Sequence, residues 1–140
     1  GATTVLLASG LSLSSKVKGI VSDSAFTSPK DIICKVARSN YGIDAKVLLP
    51  FLNLFCLKKA HFNITECSVL EALKKNELPV LLIHALSDDF VPSKMTKEIY
   101  ESCHSPKEMV LVDCVTHGFS YVYGKEKIEN ALEQFLKSLA

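Results

Sequence analysis

Two side chains in this sequence have the types needed to move a proton beside a nucleophile. A carboxylate stands in His84-Ala85-Leu86-Ser87-Asp88-Asp89-Phe90-Val91-Pro92 and an imidazole in Thr116-His117-Gly118-Phe119. An aspartate that accepts a hydrogen bond from one ring nitrogen fixes the tautomer, and the other nitrogen is then free to take a proton from a nucleophile. Asp89 offers the same chemistry as its neighbour Asp88. Taken alone, these residues read first as ordinary loop carboxylates and a satisfied histidine.

The remaining reactive types point away from chemistry. His84 falls inside an apolar run and reads as a packed, hydrogen-bonded histidine, while His61 and His104 read as surface residues. Cys114 and His117 have C-x-x-H spacing without a third or fourth ligand at a recognisable step, so no metal site is expected. Phe119, Tyr121 and Tyr123 read as the buried start of a helix. With no G-x-G-x-x-G or P-loop, nucleotide binding has no support and no cofactor is expected.

The elements that must position Asp88 and His117 are legible as changes of apolar period. Residues 17–23 (VKGIVSD), 80–85 (VLLIHA) and 109–114 (MVLVDC) are short runs of strand type. The middle one is continuously apolar, as in a strand buried on both faces. Ile128, Ala131, Leu132, Phe135, Leu136 and Leu139 fall at steps of three and four and predict an amphipathic helix. Met95, Ile99 and Cys103 repeat that step after Pro92, which places a helix between the second and third strands. Strands alternating with helical crossovers imply a parallel sheet covered on both faces, so the fold class is α/β. Ligands in such a sheet gather at the carboxyl ends of the strands, where Asp88 and His117 both fall. Residues 24–78 are too long for a simple crossover. Ser28-Pro29-Lys30-Asp31 resembles a helix-capping start, a second apolar helix follows at 46–57, and a third begins near Ser68. These predict a helical insertion at about 27–75 within one domain spanning 1–140.

Composition narrows the class further. In 140 residues, 16 Lys plus Arg against 15 Asp plus Glu leave a net charge of +1, so no polyanion binder is implied, and Lys58-Lys59 and Lys74-Lys75 read as solvated helix ends. Apolar residues at 48% and charged residues at 22% fit a folded domain. The five cysteines are odd in number and scattered, which suits free thiols in a cytoplasmic protein better than a disulfide framework. The longest apolar stretch, 47–57, is about half a bilayer span and is interrupted by Pro50 and Asn53, so no membrane segment is expected.

The order of these motifs resembles the α/β-hydrolase superfamily, in particular its capped bacterial serine hydrolases. The family's acid follows the second-last strand in a pattern like H-G-x-x-D-x-x-V-P, which aligns Asp88 through its spacing to Val91-Pro92. Ala85 stands where the family usually has Gly. The family's histidine follows the last strand, often as H-G, matching His117-Gly118. Its nucleophile sits in a G-x-S-x-G elbow, and Gly1-Ala2-Thr3-Thr4-Val5 looks like the portion that starts at the final Gly. The resemblance thus covers the C-terminal part of the family's fold and implies a nucleophilic serine upstream of Gly1. Gly10-Leu11-Ser12-Leu13-Ser14 imitates the elbow, but it ends in Ser and follows a helix, so Ser12 is not expected to be a nucleophile.

What the resemblance implies is a cofactor-free serine hydrolase of a small ester, thioester or amide substrate, whose insertion walls an apolar acyl pocket. The chain alone is expected to be inactive and to expose its first strand's edge, a template for a homodimer. The competing expectation is a binding or structural module that kept the architecture without the chemistry.

Overall fold

The computed structural model describes residues 1–113 and 116–139. Three parallel strands, β1 (Ile20–Asp23), β2 (Val80–Ala85) and β3 (Lys107–Val112), form a sheet in the order β1-β2-β3. Ile20 pairs with Val80, and Val80 with Lys107. Prolines set these starts. Ile20 N–H donates to the Pro79 carbonyl and Val80 N–H to the Pro106 carbonyl, but neither proline has an N–H to carry the ladder backwards. β1 therefore begins three residues later than the apolar run suggested, since Val17 N–H is turned back onto the Ser14 carbonyl. β3 begins two residues earlier than predicted, and Cys114 lies outside the described residues.

β2 is the middle strand and is buried along its whole length. Its alternate residues feed opposite cores, as the pleat requires. Val80 and Leu82 meet Leu6 of α1 (Ala2–Ala8), Val69 and Leu73 of α4 (Val69–Leu73) and Ile99 of α5 (Ser93–Ser102). Leu81, Ile83 and Ala85 meet Val110, Val112 and the Ile128 and Phe135 stripe of α6 (Ser120–Ser138) on the other face. The predicted C-terminal helix is thus present and longer than its apolar stripe. It kinks at Gly124, where a Cβ would lie 2.5 Å from Val112 Cγ2.

Between β1 and β2 the chain is helical, as expected. α2 (Pro29–Tyr41) starts where Ser28 Oγ accepts the Asp31 N–H, and ends at Gly42, whose φ of 66° suits a residue without a side chain. A 3₁₀ turn at Ala45–Val47 leads into α3 (Leu49–Ala60). α3 is apolar on all faces, yet Phe51, Leu54 and Phe55 are exposed. α4 differs from these two, because its Val69 and Leu73 belong to the central core. No described helix is long and apolar enough to cross a membrane.

Candidate active site

Asp88 lies in the turn that leaves β2. Leu86 N–H donates to the Val112 carbonyl at 2.7 Å, tying this turn to the end of β3. The carboxylate then folds back on its own loop, where Oδ1 accepts the Phe90 N–H at 2.9 Å and the Val91 N–H at 2.7 Å. These two donors fix the side chain, which is fully buried, and leave Oδ2 for a partner from another element. That partner is His117, whose Nδ1 stands 2.8 Å from Oδ2. A carboxylate only accepts, so Nδ1 carries a proton, and in the neutral ring Nε2 keeps its lone pair. The ring is 38% exposed, and Nε2 makes no bond to a described residue.

The two adjacent aspartates have different tasks. Asp89 is exposed and its Oδ1 meets the His117 backbone N–H at a long 3.4 Å, so the imidazole belongs to Asp88. His84 is fully buried, as its apolar surroundings predicted. Its Nε2–H donates to the Val91 carbonyl at 2.9 Å, and its Nδ1 accepts from the Thr96 hydroxyl. Both ring nitrogens are thereby occupied, and the ring buttresses the acid loop with Nε2 3.4 Å from Asp88 Oδ2. His61 and His104 are exposed. Ser12 lies in a loop at the amino ends of the strands, lining a hollow of about 570 Å³ with Ser9, Lys18 and Leu78, at the opposite end from Asp88.

One expectation about the surroundings fails. Phe119, Tyr121 and Tyr123 are not core, being 48%, 48% and 66% exposed. The reason is the contact of Gly124 with Val112, the last residue of β3, which places the first turn of α6 beyond the end of the sheet it would have covered. Tyr121 instead donates its hydroxyl to Glu129 at 2.7 Å. That bond, with smaller contributions from desolvation and the carboxylate's charge, raises the phenol's pKa above its ordinary value.

Other neighbours of the pair carry no sequence signal. The Phe90 ring lies 5.3 Å from the His117 ring at a tilt of 57°. Lys35 of α2 donates to the Asp89 carbonyl at 2.7 Å and holds its ammonium 5.9 Å from the Phe90 ring. It brings the first helix of the insertion onto the acid loop. Only chain folding joins residues so far apart in sequence.

The arrangement can hold a histidine as a general base, oriented and electrostatically supported by a buried carboxylate. No protein-family model matches the chain. An uncharacterized Bacillus subtilis protein, YqkD, is 27% identical over 139 residues, which are 99% of this chain and 46% of that protein. The chain thus spans about half the length of the curated relative it matches. Among solved structures, a Pyrococcus furiosus esterase superposes with a TM-score of 0.66 at 20% identity over 99% of this chain and 50% of its own. Pyrococcus horikoshii acylaminoacyl peptidase gives 0.64 at 18% identity over 99% of this chain and 22% of its own. Acetyl xylan esterase 1 from Thermoanaerobacterium gives 0.61 at 19% identity over 95% of this chain and 42% of its own. The three parallel strands with helices on both faces are accordingly part of an α/β-hydrolase fold, as the order of motifs implied.

Proposed function

We propose that these 140 residues supply the acid and the base of a Ser-His-Asp hydrolase of ester, thioester or amide bonds, and that the nucleophilic serine belongs to sequence preceding Gly1. The observation that carries this reading is the 2.8 Å bond from His117 Nδ1 to the buried Asp88, in a ring that stays 38% exposed. In the reaction, the serine hydroxyl attacks the carbonyl while His117 Nε2 takes its proton. The imidazolium returns that proton to the leaving group, and water repeats the sequence to release the acid.

The start of α1 supports the placement. The Ser22 hydroxyl donates to the Ala2 carbonyl at 3.3 Å and Phe26 N–H donates to Thr3 Oγ1 at 3.1 Å, so the helix begins at the carboxyl end of β1. A residue just before Gly1 enters on the side of the sheet where His117 lies. The similar structures named above are two esterases and a peptidase, and acyl transfer is the chemistry such a histidine serves. α2 and α3 would cap the site, with the apolar residues of α3 facing an acyl group. The free thiols of Cys34, Cys56, Cys67 and Cys103 fit a reducing compartment.

Fluorophosphonate labelling followed by intact mass tests the reading, on this chain beside a version extended upstream through the elbow. Labelling of the extended chain alone is the expected result. Labelling of neither would favour the non-catalytic module, and labelling of the short chain would place the nucleophile within these residues. A second expected outcome concerns the outer edge of β1, which has no strand partner among the described residues and leaves Val21 42% exposed. The 140-residue chain should dimerise through it at high micromolar concentration, and the extended chain, which supplies its own strand there, should not. A monomeric mass for the short chain by sedimentation equilibrium would overturn this.

A further inference from the structure

We infer that Asp23 is a positioning residue for His117 and acts through Ser120, an inference that rests on reading His117 as the base. Asp23 ends β1, while Ser120 opens α6 three residues after His117. Asp23 Oδ1 accepts the Ser120 hydroxyl at 3.1 Å and the Ser24 hydroxyl at 2.9 Å. Ser120 is completely buried.

Three observations give this contact a purpose. The first is strain. Ser24 has φ of 62°, a left-handed conformation that costs a residue with a side chain free energy and persists only where surrounding bonds demand it. Here the demand comes from Ser24 N–H to the Ile83 carbonyl at 2.9 Å and Ser24 Oγ to Asp23. The second is a missing cap. α6 has no side-chain cap bond at Phe119 and no acid in its first turn, so its N-terminal partial charge is met by no residue of its own segment. Asp23 brings a carboxylate there from a different strand. The third is the loose packing between His117 and Ser120. Gly118, at φ of 77°, has open space where a Cβ would stand, and Phe119 is 48% exposed, so packing does not fix the path from His117 to Ser120. The charge-assisted bond to Asp23 does. Asp88 therefore orients the ring, and Asp23 holds the far end of the loop so that the ring stays within reach of Asp88.

The ring itself reports the outcome, without substrate. In long-range proton–nitrogen spectra of the ¹⁵N-labelled 140-residue chain, the neutral His117 should be mainly the Nδ1–H tautomer, stabilised by Asp88. Asp23→Ala and Ser120→Ala should each lower the ratio of Nδ1–H to Nε2–H by about tenfold, the scale of one hydrogen bond to a charged group. The double variant should lower it no further than Asp23→Ala alone, because that variant already removes the bond to Ser120. Asp23→Asn, which keeps an acceptor oxygen, should fall between and serves if an alanine variant does not fold. His84, locked by Val91 and Thr96, should keep its Nε2–H tautomer throughout. An unchanged His117 ratio in the folded variants would overturn the inference, and so would a His84 that changes in step with His117. Fluorophosphonate labelling separates this result from the hydrolase reading, since a serine that labels beside an unaltered tautomer sinks only the role of Asp23.

Discussion

Replacing His117 by alanine in the protein extended upstream of Gly1 is expected to lower kcat on a chromogenic acetate ester by about a million-fold. The variant should still fold, because the ring is partly exposed and Asp88 keeps its two backbone donors, although its buried Oδ2 loses a donor. Asp88→Asn is expected to cost about 10⁴-fold, and the geometry says why. Oδ1 is committed to the Phe90 and Val91 N–H groups, so the asparagine must place its oxygen there and its amide NH₂ where Oδ2 now faces His117. A donor opposite Nδ1 selects the Nε2–H tautomer, which has no lone pair to take the serine proton. A loss of less than tenfold in either variant would remove the pair from the chemistry.

His84→Leu should give the opposite pattern. The substitution strands two buried partners, the Val91 carbonyl and the Thr96 hydroxyl, at about 1–3 kcal/mol each. Urea unfolding should show a loss of about 2–6 kcal/mol in total, while the rate per folded molecule stays within about threefold, since the 3.4 Å approach of His84 to Asp88 is too long to hold the acid. An unchanged unfolding midpoint with lost activity would exchange the roles of the two histidines. The contrast follows from exposure and bonding. One histidine has both nitrogens spent inside the protein, and the other has one nitrogen left over among the described residues.

Much of this architecture was readable without coordinates. The continuous apolar run at Val80–Ala85 announced a strand covered on both faces, because only a central strand has no solvent side to mark with polar residues. Ser28 with Asp31 announced the start of α2, since capping is a contact between residues three apart. Asp88 and His117 were legible as strand-end residues in the right order, and that order carried the resemblance. Strand ends were less legible. A hydrophobic residue such as Val17 reads the same whether its N–H meets a neighbouring strand or a turn, and only the prolines at the starts of β2 and β3 decided which.

The sequence by itself determined the alternation of strand and helix, the parallel sheet it forces, and the identity of the carboxylate and imidazole at its carboxyl end, all consequences of residue type and short-range spacing. Tertiary structure alone decided that His84 is spent on Val91 and Thr96 and that Phe119, Tyr121 and Tyr123 face outward. It also brought Asp23 to Ser120 and Lys35 to the acid loop. Each of these depends on hydrogen bonds or packing between segments whose approach is set by sheet register and a helix kink, and no local pattern of residue types encodes a distance across the fold.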